Sequence, residues 1–121
     1  MTLLLIAVGG ALGSVGRYLL SAWVVRLTTP YFPYGTVAVN VLGSAIFGVL
    51  VGLAQHRVPL SADLRAFLLV GILGGFTTFS TFAFDSMTLL REGQIGLALI
   101  NMAGQVAVGV AALYAGFRIT N

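Results

Sequence analysis

Apolar residues run along this chain in four blocks, each long enough to cross a bilayer, separated by short polar interruptions. A hydrocarbon core needs about 20 mainly apolar residues per helix. Leu3 to Val25 supplies the first span and is broken only by Arg17. The segment from Leu27 to Tyr34 holds Pro30 and Pro33 and reads as a loop. Gly35 to Ala54 is a second span without any charge. Gln55 to Asp63 is the most polar stretch, and Ser61 within it is placed to cap the helix that follows. Leu64 to Leu90 is the third span, Arg91-Glu92-Gly93-Gln94 a turn, and Ile95 to Phe117 the fourth span.

The third span is longer than one crossing requires, and its centre reads Gly74-Gly75-Phe76-Thr77-Thr78-Phe79-Ser80-Thr81-Phe82. Adjacent glycines followed by β-branched and hydroxyl residues make poor helix. The pattern predicts a helix broken near the bilayer midplane, where irregular backbone survives only if protein buries it or it lines a polar cavity. Small and polar residues recur at every fourth position: Gly9, Gly13, Arg17 and Ser21; Asn40, Ser44, Gly48 and Gly52; and, more weakly, Asn101, Gln105 and Gly109. In lipid such stripes let helix backbones approach, and their amides bond across the interface.

Composition agrees with this pattern and narrows the function. Hydrophobic residues make up 59% of the chain and charged residues 7%, against roughly a quarter charged in a soluble domain. The mean hydropathy is +1.05. The whole of 1–121 therefore reads as one all-helical, four-span membrane domain. The isoelectric point near 10.0 does not signal nucleic acid, because the six basic residues are scattered arginines that form no patch. No basic segment precedes the first apolar run, so it reads as a span rather than a secretory signal. With no cysteine, one histidine in a polar loop and no paired carboxylates, the chain is not expected to be an enzyme.

Arginine in the loops normally fixes membrane orientation. Here Arg57, Arg65 and Arg118 fall on one side, and Arg26, Arg91 and Arg17 on the other. The balance predicts insertion both ways and an antiparallel homodimer, each subunit paired with an identical, inverted copy in the lipid. Four short helices are also too few to surround a hydrated path.

Two features carry candidate chemistry. Asn40 places an amide with two N–H donors in the second span, where it can meet an anion without a full positive charge. Phe79 and Phe82 share a helix face among Ser80, Thr81 and neighbouring hydroxyls. Their ring edges are electropositive and suit a small anion, although two phenylalanines at this spacing also serve simply as packing. Arg17 and Asp85 are the charges nearest the membrane interior. Arg17 reads either as an electropositive vestibule or as a snorkelling side chain, and Asp85 as a structural partner of a neighbouring helix or a pore-mouth residue.

These residues resemble the small bacterial fluoride channels of the Fluc (CrcB) family over essentially the whole chain. The resemblance rests on Gly9-Gly10 through Arg17-Tyr18, on Gly35-Thr36 through Asn40 and Gly43, and on Gly71 through Phe82. It implies a dual-topology homodimer in the bacterial inner membrane that exports cytoplasmic fluoride passively through two antiparallel pores. It implies that Asn40, Phe79, Phe82, Ser80 and Thr81 line the path. It further implies that backbone carbonyls of Gly74 and Thr77 from both subunits hold a structural Na⁺. Asp85 stands where the family usually has Glu, and the fourth helix carries Asn101 and Gln105 where hydroxyls are common. A proton-coupled multidrug exporter of similar size needs an acid in its first helix, where this chain has Arg17. A non-transporting assembly subunit explains the glycine stripes but not the hydroxyl–phenylalanine block.

Overall fold

The computed structural model describes residues 1–121. It is all helical, with four helices apolar and long enough to cross a membrane. The first two are α1 (Thr2–Leu27) and α2 (Tyr34–His56). The third span, Ala62–Arg91, consists of α3 (62–76) and α4 (Phe79–Arg91); the fourth is α5 (Ile95–Ile119). Hydrogen bonding widens to π geometry over Ala66–Leu73 in α3 and Ile100–Gly104 in α5. Ser61 caps the third span by accepting from the Leu64 N–H at 3.2 Å.

The third span is interrupted within the poor-helix run from Gly74 to Phe82, at its threonines rather than its glycines. Gly74–Phe76 is still helical, and the extended residues are Thr77 (ψ 157°) and Thr78 (φ −148°, ψ 117°). Glycine's low helix propensity is measured in water. Here Gly75 serves contact: a Cβ on it would stand 2.6 Å from the Gly10 carbonyl oxygen. The threonines can leave the helix because their hydroxyls make local bonds. Thr77 Oγ1 donates to the Leu73 carbonyl at 3.0 Å, and Thr78 Oγ1 accepts from the Thr81 N–H at 3.2 Å.

Two helix pairs make up the subunit, α1 against α3 and α2 against α5. Each seam is a glycine contact of backbone on backbone. Gly9 lies against Gly71, and Gly13 against the Ile72 carbonyl; Gly48 lies against the Leu113 carbonyl, and Gly116 against that of Ala45. With no hydrophobic drive between helices in lipid, such close dispersion contact is a main source of association. Only 17 of 121 residues are buried, and the exposed ones include Leu4, Leu12, Leu19, Val70 and Val110. That exterior suits hydrocarbon.

Arg57, Arg65 and Arg118 sit at one end of the bundle, where the Arg57 Nε donates to the Thr120 carbonyl at 3.2 Å. Arg26 and Arg91 end their helices at the other. Arg17 belongs to neither end, because its Nε donates to the Gly75 carbonyl, 3.1 Å away, beside the break. Setting it aside turns a balance of three against three into three against two, a bias of one charge.

Candidate functional site

Breaking a helix inside a membrane releases backbone groups that water cannot satisfy. The surroundings of Thr77–Thr78 show where they go. The Thr78 N–H, which in a continuous helix would serve the Gly74 carbonyl, donates to Asn40 Oδ1 at 2.7 Å. Asn40 Nδ2 donates back to the Thr78 carbonyl at 3.0 Å and also to Gln105 Oε1. The Thr81 N–H serves the Thr78 hydroxyl rather than the Thr77 carbonyl, and the Gly75 carbonyl accepts from Arg17. Asn40 thus stitches α2 to the extended residues with a two-way amide pair, and Arg17 binds the end of α3.

Two hollows flank the break. The larger, about 350 Å³, is a groove lined by Asn40, Phe47, Thr77, Phe79, Phe82 and Gln105 among others. The smaller, about 320 Å³, lies between Arg17, Tyr18, Ser21, Thr36 and Thr81. Thr78 borders both. Phe79 and Phe82 stand one helical turn apart in α4, with ring centroids at 5.6 Å and planes tilted by 43°. Phe79 is 79% exposed, so its ring faces lipid or a second subunit rather than the interior of this one.

The first turn of α4 adds polarity of the right sign. Its N–H groups at Phe79 and Ser80 have no intrahelical acceptor, and the N-terminal end of a helix carries a partial positive charge. An interrupted membrane helix presents that charge to anions near the midplane. The opposite half of the break offers carbonyls. Four carbonyls lose their helical donors: that of Gly75 accepts from Arg17 instead, while those of Gly74, Phe76 and Thr77 are left without the N–H groups of Thr78, Ser80 and Thr81. Carbonyl oxygens so freed suit a hard cation.

The structure gathers the predicted residues unevenly. Asn40, Thr77, Phe79 and Phe82 share the larger groove, while Arg17 and Thr81 face the smaller hollow. Ser80 and Gly74 are exposed on the subunit surface and line neither. Asp85 lies on α4 one turn beyond Phe82 and accepts from the Thr36 hydroxyl at 2.7 Å, so the shorter acid does reach the neighbouring helix. Both N–H groups of Asn40 are already engaged, which ties it to the fold as well as to the groove.

Three contributors stand outside the predicted set: Thr78, Thr36 and Gln105. Thr78 was detectable in principle as a Thr N-cap before the Phe79 helix. Gln105 carried a signal as part of the Asn101–Gln105 stripe, whose amides need partners across the interface, whereas Thr36 matters only through its contact with another helix, which no local pattern encodes.

Comparison with known proteins gives a consistent picture. The family model described as CrcB-like protein, Camphor Resistance (CrcB), matches residues 4–117. A protein of Agrobacterium fabrum named fluoride-specific ion channel FluC is 46% identical over 115 residues, covering 95% of this chain and 92% of the relative. Proteins with the same name from Rhizobium etli and Methylobacillus flagellatus are 46% and 40% identical, covering 96% of this chain in both cases and 93% and 91% of the relatives.

Proposed function

The chain belongs to the CrcB-like family, and from that premise we propose that it is a passive, fluoride-selective channel that lets fluoride leave the cell. The observation that carries this reading is the groove at the broken helix. There, the exposed Phe79, the half-buried Phe82, the Asn40 amide and the positive end of α4 converge. A small, strongly hydrated anion gives up its water only where close donors replace it. Ring edges and N–H groups do so without a fixed charge that would hold the ion.

In this account Phe79 and Phe82 form the apolar wall of the path. Asn40 Nδ2 is the amide donor at the break, and it serves an arriving ion when one of its two bonds, to Thr78 or to Gln105, gives way. Ser80 on the exposed surface and Thr81 on the smaller hollow add hydroxyls to the path where a second copy closes over α4, and Arg17 raises the anion concentration in the smaller hollow. Asp85 is structural and holds Thr36. Fluoride enters acidified surroundings' cells as neutral HF, ionises inside and is trapped; the membrane potential then drives it out through the channel.

The functional unit is a homodimer of inversely oriented copies in the inner membrane. One subunit encloses no path, and its exposed Phe79 and Gly74 need a cover. The near-balanced arginines permit both orientations. A structural Na⁺ at the dimer axis fits the carbonyls of Gly74 and Thr77, which the break leaves without helical donors.

The protein is a channel and not an enzyme. Proton-coupled cation export finds no support, since the first span holds no acid and Asp85 is bound to Thr36. The test is fluoride efflux from liposomes holding the purified protein. Passive conduction needs a potassium ionophore to dissipate the charge it moves, and efflux stalls without one. Efflux that proceeds at full rate without the ionophore would mean electroneutral transport instead, each fluoride leaving together with a proton.

A further inference from the structure

The polar residues of the fourth span form one directional chain of hydrogen bonds that begins and ends on the backbone around the break. The Thr78 N–H donates to Asn40 Oδ1, and Asn40 Nδ2 donates to Gln105 Oε1. Gln105 Nε2 donates to Asn101 Oδ1 at 2.9 Å, and Asn101 Nδ2 to Ser86 Oγ at 2.9 Å. Ser86 Oγ closes the circuit by donating to the Phe82 carbonyl at 2.8 Å. The run crosses α2, α5 and α4.

Its direction is fixed by its ends. A backbone N–H can only donate and a carbonyl can only accept. With Thr78 N–H at one end and the Phe82 carbonyl at the other, each amide between them has one orientation that satisfies both neighbours. A flip of Gln105 would set oxygen against oxygen at Asn101 and nitrogen against nitrogen at Asn40. The chain is also shielded: Asn101 is fully buried, and Ser86 and Gln105 are 4% and 7% exposed. In lipid no water competes for these bonds, so the orientation persists.

We propose that Gln105 and Asn101 are positioning residues for conduction, holding the Asn40 amide and the Phe82 backbone in the arrangement that passes the ion. Asn101 does not border the groove, so it acts only through Gln105 and Ser86. Gln105 borders the groove itself and also accepts one Asn40 Nδ2 hydrogen, which fixes how that amide is turned. The fourth helix thus contributes an orienting scaffold, where hydroxyls on this helix would contribute contacts to the ion directly. This inference rests on the fluoride-channel reading.

The experiment records single-channel fluoride currents in planar bilayers for wild type, Gln105→Met, Asn101→Leu, the double variant and Ser86→Ala. Unitary current is the decisive readout, since a merely structural defect lowers the number of channels and not the current through each. Loss of one orienting bond should reduce unitary current about tenfold. The double variant should be no lower than the weaker single variant, because both cut the same chain. Ser86→Ala adds no atom and suits the helix, so it reports even where the larger changes do not fold, and its current should also fall. Wild-type unitary current in Ser86→Ala, or in Asn101→Leu, overturns the inference while leaving the channel intact. Absence of fluoride current in the folded wild-type protein would instead overturn the channel reading beneath it.

Discussion

Replacing Asn40 by leucine keeps the branched shape of the side chain and removes every bond that Asn40 makes to the break. Three hydrogen bonds are lost: two with the Thr78 backbone, at 2.7 and 3.0 Å, and one with Gln105. Side-chain bonds between membrane helices average about 0.6 kcal/mol, so three contribute about 2 kcal/mol. The Thr78 N–H is then left with no acceptor, which adds about 1–3 kcal/mol. The sum is about 3–5 kcal/mol, more than a hundredfold in the unfolding equilibrium at about 1.4 kcal/mol per factor of ten. Equilibrium unfolding in mixed micelles measures the global loss, and amide exchange at Thr78 measures the local one. The Thr78 amide should exchange at least tenfold faster in the variant. A loss below about 1 kcal/mol with unchanged Thr78 protection would refute the claim that Asn40 holds the break.

Other substitutions test other joints of the account. Gly48→Ala drives a methyl group into the Leu113 carbonyl on a backbone that cannot yield, and should cost about 2 kcal/mol or more in the same unfolding assay. Gly96→Ala meets nothing within 4 Å and should stabilise by about 0.5–1 kcal/mol. Thr36→Val deprives Asp85 of its 2.7 Å donor and should lower stability by about 1.5–3 kcal/mol. Arg17→Lys keeps the charge but not the Nε bond to Gly75; it should preserve fluoride attraction at low salt while the thermal midpoint falls.

The spans were legible because hydropathy over about 20 residues is a bulk property that neighbouring helices do not alter. None of the four helices reaches more than two residues beyond its apolar run. The interruption was legible as a poor-helix cluster from Gly74 to Phe82, which does contain the break, but which of its residues leave the helix was not. Gly74 and Gly75 look like breakers until Gly10 is seen pressed against the second of them. Asn40 stood out because an amide is unusual at that depth, and the Phe pair because hydroxyl residues interleave it. Asn101 and Gln105 looked like a weak stripe, since their meaning depends on Ser86 and Asn40 arriving from two other helices. Arg17 was ambiguous for the same reason: only the Gly75 carbonyl, far away in sequence, shows that it is held at the break rather than drawn to an interface.

The central claim, that fluoride passes along the Phe79–Phe82 groove, is tested most directly by one side-by-side efflux measurement. Liposomes with equal fluoride and chloride gradients and a potassium ionophore would carry wild type, Phe79→Ile or Phe82→Ile. The account predicts rapid fluoride efflux and negligible chloride efflux for wild type, with fluoride efflux lost in either variant although both remain folded dimers. Fluoride efflux at the wild-type rate in both variants would contradict it.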